Sequence, residues 1–251
     1  MGTTAGDAAA KLDAYIAATA RSFPLISAQV QEALALIGRF VKAQADAQGL
    51  QLLALRRYLR IGPKRVHAQW AWTAEQAEVL IYQGAAKQLV NEAAKVQATF
   101  AKNNPGYKLA LSPLRSLERQ VRLWDGNSTV RKAAAGLRSD VLEDLEDEDQ
   151  YPDPPTGKSI PFFRDLLRGY PVSPEPTSAA PGTSDHGQMR AVDFVVMRTS
   201  GVEVAGTKSS SIPVVWKRGG WEAKLIAAAE TTQLVGPLQH PYEPWHWRLP
   251  R

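Results

Sequence analysis

The 251-residue chain contains no cysteine, which excludes a disulfide framework, a thiolate-ligated zinc finger and a thiol nucleophile. Histidine is scarce as well, with four in total, so a metal centre has to be assembled from a few imidazoles completed by carboxylates. No apolar run approaches the ~18 residues that a membrane span needs. Met1 to Tyr15 also lacks a basic segment followed by an apolar stretch, the pattern of a secretory signal. The expectation is a chain made in the cytoplasm, with no membrane span and no Sec-type export.

What is present is ordinary for a globular protein: 44% apolar and 22% charged residues, enough for a sizeable core in one large domain or a small domain plus a medium one. The net charge of +5 is uneven, because Asp140 to Asp149 carries seven acids and the remainder is about +12 without it. A basic body suits an anionic partner such as a wall polymer, a lipid surface or nucleic acid. Arg56, Arg57, Arg60, Lys64 and Arg65 form a basic cluster, yet no nucleic-acid-reading motif accompanies them, so a solvated face is expected and no nucleic acid as partner. The acidic run reads as an exposed, mobile insertion.

Ile26, Val30, Ala33, Leu34, Ile37 and Val41 recur at helical spacing, predicting one amphipathic helix with Pro24 in its first turn and Gly49 beyond its end. Another helix is predicted over Ala8 to Arg21, and a third from Thr73, with Gln76 completing a capping box, to about Lys102. Asn103-Asn104-Pro105-Gly106 stops it. Tyr107 to Leu111 then reads as a strand, and Pro113 to Trp124 as a helix opened by Ser112. Tyr151 to Pro181 is proline-rich loop apart from Ile160 to Leu167. Strands are expected over Ala191–Arg198 and Ile212–Lys217, a helix over Trp221–Thr231, and a last strand over Tyr242–Leu249, interrupted by Pro244. The sum is an α+β protein with a small antiparallel sheet and flanking helices, preceded by a helical N-terminal region, with the boundary drawn between residues 72 and 73.

Two segments carry chemistry. In Ser184-Asp185-His186-Gly187-Gln188-Met189-Arg190-Ala191-Val192-Asp193 a histidine leaves a loop and an aspartate follows inside the expected strand. Asp193 and Val195 then share one face, and the loop can fold His186 back beside Asp193. This pair offers two ligands to a zinc ion, and it equally suits a surface histidine near an aspartate. In Tyr242-Glu243-Pro244-Trp245-His246-Trp247-Arg248 a carboxylate precedes a histidine by three positions. His246 offers a third ligand and Glu243 a general base; the alternative reads the tryptophans as core and Glu243 as a solvated charge. His67 and His240 read as structural or surface residues.

Taken together, the segments resemble the zinc peptidases that cleave D-alanyl-D-alanine bonds of peptidoglycan, a group sharing its fold with the hedgehog signalling domain. Their pattern is Ser-x-His-x-x-Gly-x-Ala-x-Asp followed by Glu-x-Trp-His. Ser184, His186, Ala191 and Asp193 match the first part, and Glu243, Trp245 and His246 the second. Met189 stands where the family has glycine, which puts the conformation of the loop in question, with Gly187 as the residue to take over the tight turn. A third motif, Arg-Ser-x-x-x-Gln, is matched by Arg115, Ser116 and Gln120.

The resemblance implies a hedgehog-type peptidase domain over residues 73–251. It also implies zinc on His186, Asp193 and His246, Glu243 as general base, Arg115 as oxyanion stabiliser, and Gln120 and Ser184 in contact with substrate. The implied activity is hydrolysis of peptidoglycan stem peptides, as carboxypeptidase or endopeptidase, by a phage lysin or an injected cell-wall effector. The alternative is a catalytically silent wall-binding or structural module of the same fold. Without an export signal, such an enzyme is expected to reach the wall by a non-Sec route, with a delivery apparatus or an immunity protein as further partners.

Overall fold

The computed structural model describes residues 5–24, 27–62, 84–112 and 115–250. In chain order the elements are helices α1 (Ala5–Arg21), α2 (Ser27–Leu36), α3 (Gln44–Ile61) and α4 (Gly84–Asn103), strand β1 (Tyr107–Leu111), and helices α5 (Leu117–Gly126), α6 (Ser128–Asp144) and α7 (Ser159–Gly169). Strands β2 (Ala191–Arg198) and β3 (Glu203–Ala205) follow, then a π-helix (Ile212–Arg218), α8 (Trp221–Ala229), and the short strands β4 (Leu238–Gln239), β5 (Tyr242–Glu243) and β6 (His246–Arg248). The protein is α+β with a small antiparallel sheet. No helix of the described residues is long and apolar enough to cross a membrane.

The described residues of Met1–Ala68 and Leu117–Ser184 form one compact unit, and those of Gln69–Ser116 and Asp185–Arg251 form a second. Each unit is therefore drawn from two stretches of chain. The boundary expected at 72/73, the capping box at Thr73 and His67 lie outside the described residues.

In the second unit β2 is the central strand. Its C-terminal half pairs antiparallel with β1, Leu111 opposite Phe194 and Tyr107 opposite Arg198. Its N-terminal residues pair with β6, Asp193 opposite His246, and β3 joins it as well. Alternation sends Val192, Phe194 and Val196 into the apolar core, where they meet Leu109 of β1, Leu89, Val96 and Phe100 of α4, and Trp221 and Leu225 of α8. Burying each such side chain is worth ~1.5–3 kcal/mol, which fixes the register of β2 and sends Asp193 to the opposite face.

Ile212–Lys217 is not a strand. Its inward residues Ile212, Val215 and Trp216 have helical spacing, Val214 is left exposed, and the Trp216 indole donates to the carbonyl of Gly206. Helix α5 begins at Leu117 rather than at Pro113, which lies outside the described residues, and Arg115 and Ser116 precede it without regular secondary structure.

In the first unit the single helix expected between Pro24 and Gly49 is two helices. The break comes at Gly38, whose φ is +91°, and the carboxylate of Asp125 accepts from the backbone N–H groups of Gly38 and Phe40. Gly49 does not end a helix. It lies inside α3, where an added Cβ would come 2.8 Å from the carbonyl oxygen of Ala134 in α6. The acidic run is not an insertion separate from the fold: its first part closes α6, Leu145 is buried, and Lys11 Nζ donates to the Leu145 carbonyl at 2.6 Å, while residues 146–149 are exposed. Val141 and Leu145, four residues apart and both buried, hold it down, and the acidic composition of the run hides them.

Two glycine substitutions separate close packing from helix propensity. Gly49→Ala is expected to destabilise the protein by ~1–3 kcal/mol through overpacking against α6. Gly136→Ala, on an open face of α6 with nothing within 4 Å of the added Cβ, is expected to stabilise it by up to ~1 kcal/mol. Urea denaturation of the two variants measures both.

Candidate metal centre

Asp193 and His246 are directly opposite one another on β2 and β6, so their side chains rise side by side from the same face of the sheet. Neighbouring main-chain bonds hold this register: Phe194 N–H donates to Trp245 O at 2.9 Å and Ser112 N–H to Asp193 O at 2.8 Å. Trp245 and Trp247 alternate with His246 and are buried in the core, so the tryptophans secure the strand while the histidine faces the other way.

His186 comes from the turn before β2. Met189 N–H donates to His186 O and Arg190 N–H to Asp185 O, while the Arg190 carbonyl accepts from Leu249 N–H beyond β6. Met189 is buried and has φ +55°, alone among the described non-glycine residues in being positive. The position where the resembling family has glycine thus needs the left-handed conformation, and Met189 adopts it at a cost of ~1–2 kcal/mol. Gly187 does not take over that role, since its φ is not positive.

Three ligand atoms converge. His186 Nε2 lies 3.1 Å from Asp193 Oδ1 and 3.0 Å from His246 Nδ1, and His246 Nδ1 lies 3.2 Å from Asp193 Oδ1. The imidazole rings cross at 79° with centroids 4.7 Å apart. Hydrogens on the two ring nitrogens can serve the edges to Asp193, but that leaves two donors facing each other along the nitrogen–nitrogen edge. A cation uses all three lone pairs at once. Tetrahedral ligands at zinc distances of ~2.0–2.1 Å are separated by roughly 3.3–3.4 Å, close to the triangle observed. This His-Asp-His group could hold a metal ion, and among the described residues it is the one such group.

Arg115 donates from Nη2 to Asp193 Oδ2 at 2.9 Å. The guanidinium thereby engages one carboxylate oxygen and leaves Oδ1 to the imidazoles, the outer-shell support that ligating carboxylates usually have. Glu243 is outside the triangle, with Oε2 3.7 Å from His246 Nδ1 and its side chain 30% exposed. That distance exceeds a hydrogen bond and puts the carboxylate beside the metal-ligand group rather than in it.

The charges follow from these neighbours. Burial pushes the His186 imidazole below its ordinary pKa, and its bond to Asp193 only partly opposes this, so its lone pair stays free to lower pH. Burial also opposes ionisation of Asp193, but hydrogen bonds from both imidazoles and the charge of Arg115 outweigh it and hold the carboxyl well below the usual range. Glu243 is pushed up, chiefly by burial; His246 and Arg115 act against the shift and Asp193 adds to it.

Of the residues expected at the site, the structure brings together His186, Asp193, His246, Glu243 and Arg115. Gln120 and Ser184 belong to the other unit, where Gln120 Oε1 accepts from Gly182 N–H at 2.8 Å and fixes the turn there. His240 is exposed. The anchoring of Glu243 was not foreseen. Its strand β5 pairs only with β4 among the described strands, and the adjacent Tyr242 hydroxyl donates to Glu222 of α8, with the Lys217 ammonium 4.7 Å from the Tyr242 ring centroid. The one hint in the sequence was a tyrosine next to the proposed base. Comparison with models of known protein families, with curated proteins and with solved structures gives no match for this chain.

Two expectations follow for the metal and proton balance. The wild type is expected to bind one divalent ion per chain by elemental analysis, with binding lost in His186→Ala and His246→Ala and kept in Glu243→Ala. For the metal-free protein, the lowered pKa of His186 means that the unfolded chain takes up its proton first as pH falls below ~6.5. Asp193 adds to the effect below ~4 in the same direction. Stability from urea melts should therefore drop as pH falls through these ranges, and His186→Gln should flatten the upper one.

Proposed function

We propose that the chain is a zinc-dependent peptidase that hydrolyses peptide bonds in peptidoglycan stem peptides, built on the fold that D-alanyl-D-alanine peptidases share with the hedgehog domain. The observation that carries this reading is the triangle of His186 Nε2, His246 Nδ1 and Asp193 Oδ1 with 3.0–3.2 Å edges, flanked by the carboxylate of Glu243. Two imidazoles and one carboxylate suit several divalent ions. The neighbouring carboxylate of Glu243, outside the ligand triangle, suits a general base and so favours hydrolysis, a chemistry that zinc serves.

Zinc supplies Lewis-acid polarisation of a carbonyl and lowers the pKa of adjacent water from ~15.7 toward ~7. The chain's own residues do the rest. Glu243 accepts the proton of the attacking water and returns it to the leaving amine, the role open to a carboxylate that stands beside the ligands without being one of them. Asp193, oriented by Arg115, keeps the ligand face fixed. The Arg115 side chain is 33% exposed and offers positive charge where an oxyanion develops. A phage lysin, or an effector delivered to the wall by an injection apparatus and countered by an immunity protein, fits such an activity.

A metal-holding but catalytically silent wall-binding module is the second reading. The observation in its favour is Met189, a bulky buried residue in the left-handed position of the loop that carries His186. Digestion of purified sacculi with mass spectrometry of the fragments decides between the two. Wild type is expected to release stem-peptide fragments, while Glu243→Ala keeps its metal and loses turnover by ~10²–10⁴-fold. A metal-loaded wild type that binds sacculi and releases nothing favours the silent module.

A further inference from the structure

The basic cluster of α3 has a feature that the metal centre does not use. Arg56 is 6% exposed, and both its Nε, at 2.8 Å, and its Nη2 donate to the carbonyl of Tyr170. A carbonyl satisfies hydrogen bonds but not charge, and buried charges in proteins are as a rule matched by an opposite one. Among the described residues no carboxylate forms an ion pair with Arg56. Glu175 acts on it only through space, while Arg60 and Arg57 add charge of the same sign. Burial and these positive neighbours together disfavour the guanidinium's charge.

Arg56 also lines a cavity of about 140 Å³, together with Leu53, Arg57, Trp124, Glu175 and Ser178. One water needs ~10–15 Å³ of such space, so there is room for a ligand of several heavy atoms. The walls differ in character, with Leu53 and Trp124 apolar and the two arginines cationic.

We propose that this cavity binds a small organic carboxylate, its oxygens on the guanidinium groups of Arg56 and Arg57 and its apolar part against Leu53 and Trp124. The charge count selects the ligand. One desolvated positive charge calls for one negative charge, and Glu175 at the rim disfavours a dianion such as phosphate. The apolar wall favours an organic acid over chloride, because a bare ion leaves Leu53 and Trp124 without a partner. Planar guanidinium groups match carboxylate geometry. The proposal is independent of the peptidase reading, since every residue it uses lies in the other unit.

A free short-chain acid and the carboxyl end of a peptide present the same group, so propionate and N-acetyl-alanine serve as separate probes. Each is titrated into the full-length protein by calorimetry and thermal melting at matched ionic strength, beside phosphate and chloride. At least one of the two carboxylates is expected to bind saturably and raise Tm, and whichever binds more tightly identifies the source. Arg57→Ala, at an exposed position, should weaken binding by about tenfold or more, Arg56→Met should abolish it, and Glu175→Gln should tighten it. No saturable carboxylate binding, equal or better binding of phosphate or chloride, or an unchanged affinity in Arg57→Ala overturns the proposal. Should Arg56→Met fail to fold, the Arg57 and Glu175 variants carry the test.

Discussion

The pairing of Asp193 with His246 across β2 and β6 is the constraint on which the candidate centre depends. A shift of one residue would turn either side chain to the opposite face and separate the ligands. What prevents the shift is hydrophobic: Val192, Phe194 and Val196 on β2 and Trp245 and Trp247 around His246 are all committed to the same core. The polar residues gain their geometry from apolar neighbours one position away. The core therefore sets the metal-ligand geometry as much as the ligands do.

Around this rigid pair the other groups are held by different means. His186 depends on a turn closed by two internal backbone bonds and joined, through the Arg190 carbonyl, to Leu249 N–H just beyond β6. Arg115 is fixed by its ion pair with Asp193. Glu243 sits in a two-residue strand whose pairing partner is β4 rather than the main sheet, with Tyr242 secured to Glu222. The proposed base is thus anchored through contacts of its own, although it precedes His246 by only three residues.

Much of this was legible in the sequence where a strong local pattern coincided with burial. β1 over Tyr107–Leu111 and β2 over Ala191–Arg198 match their predicted spans, because alternation and stop signals agree there. The convergence of His186, Asp193 and His246 was legible only when the two motifs were taken together as a resemblance, since each segment alone fitted a surface or core reading equally well. Elsewhere the local signal pointed the wrong way. Gly49 carried the mark of a helix end, but its missing side chain serves the close approach of two helices, which is a tertiary fact. The β-branched Ile212, Val214 and Val215 favoured a strand, but the core selects a helical face. The acids of residues 140–149 masked the buried Val141 and Leu145. Whether Met189 would accept a positive φ could not be read from its own preference, because the turn imposes it.

The spacing of the ligands along the polypeptide has a thermodynamic side. Asp193 and His246 are 53 positions apart, and a cation gripping both would close that loop much as a disulfide does, restricting the unfolded ensemble while favouring the folded one. In a protein without cysteine, such a non-covalent staple would tie the central strand β2 to the last strand β6. It would also make resistance to heat or proteolysis rise and fall with metal supply.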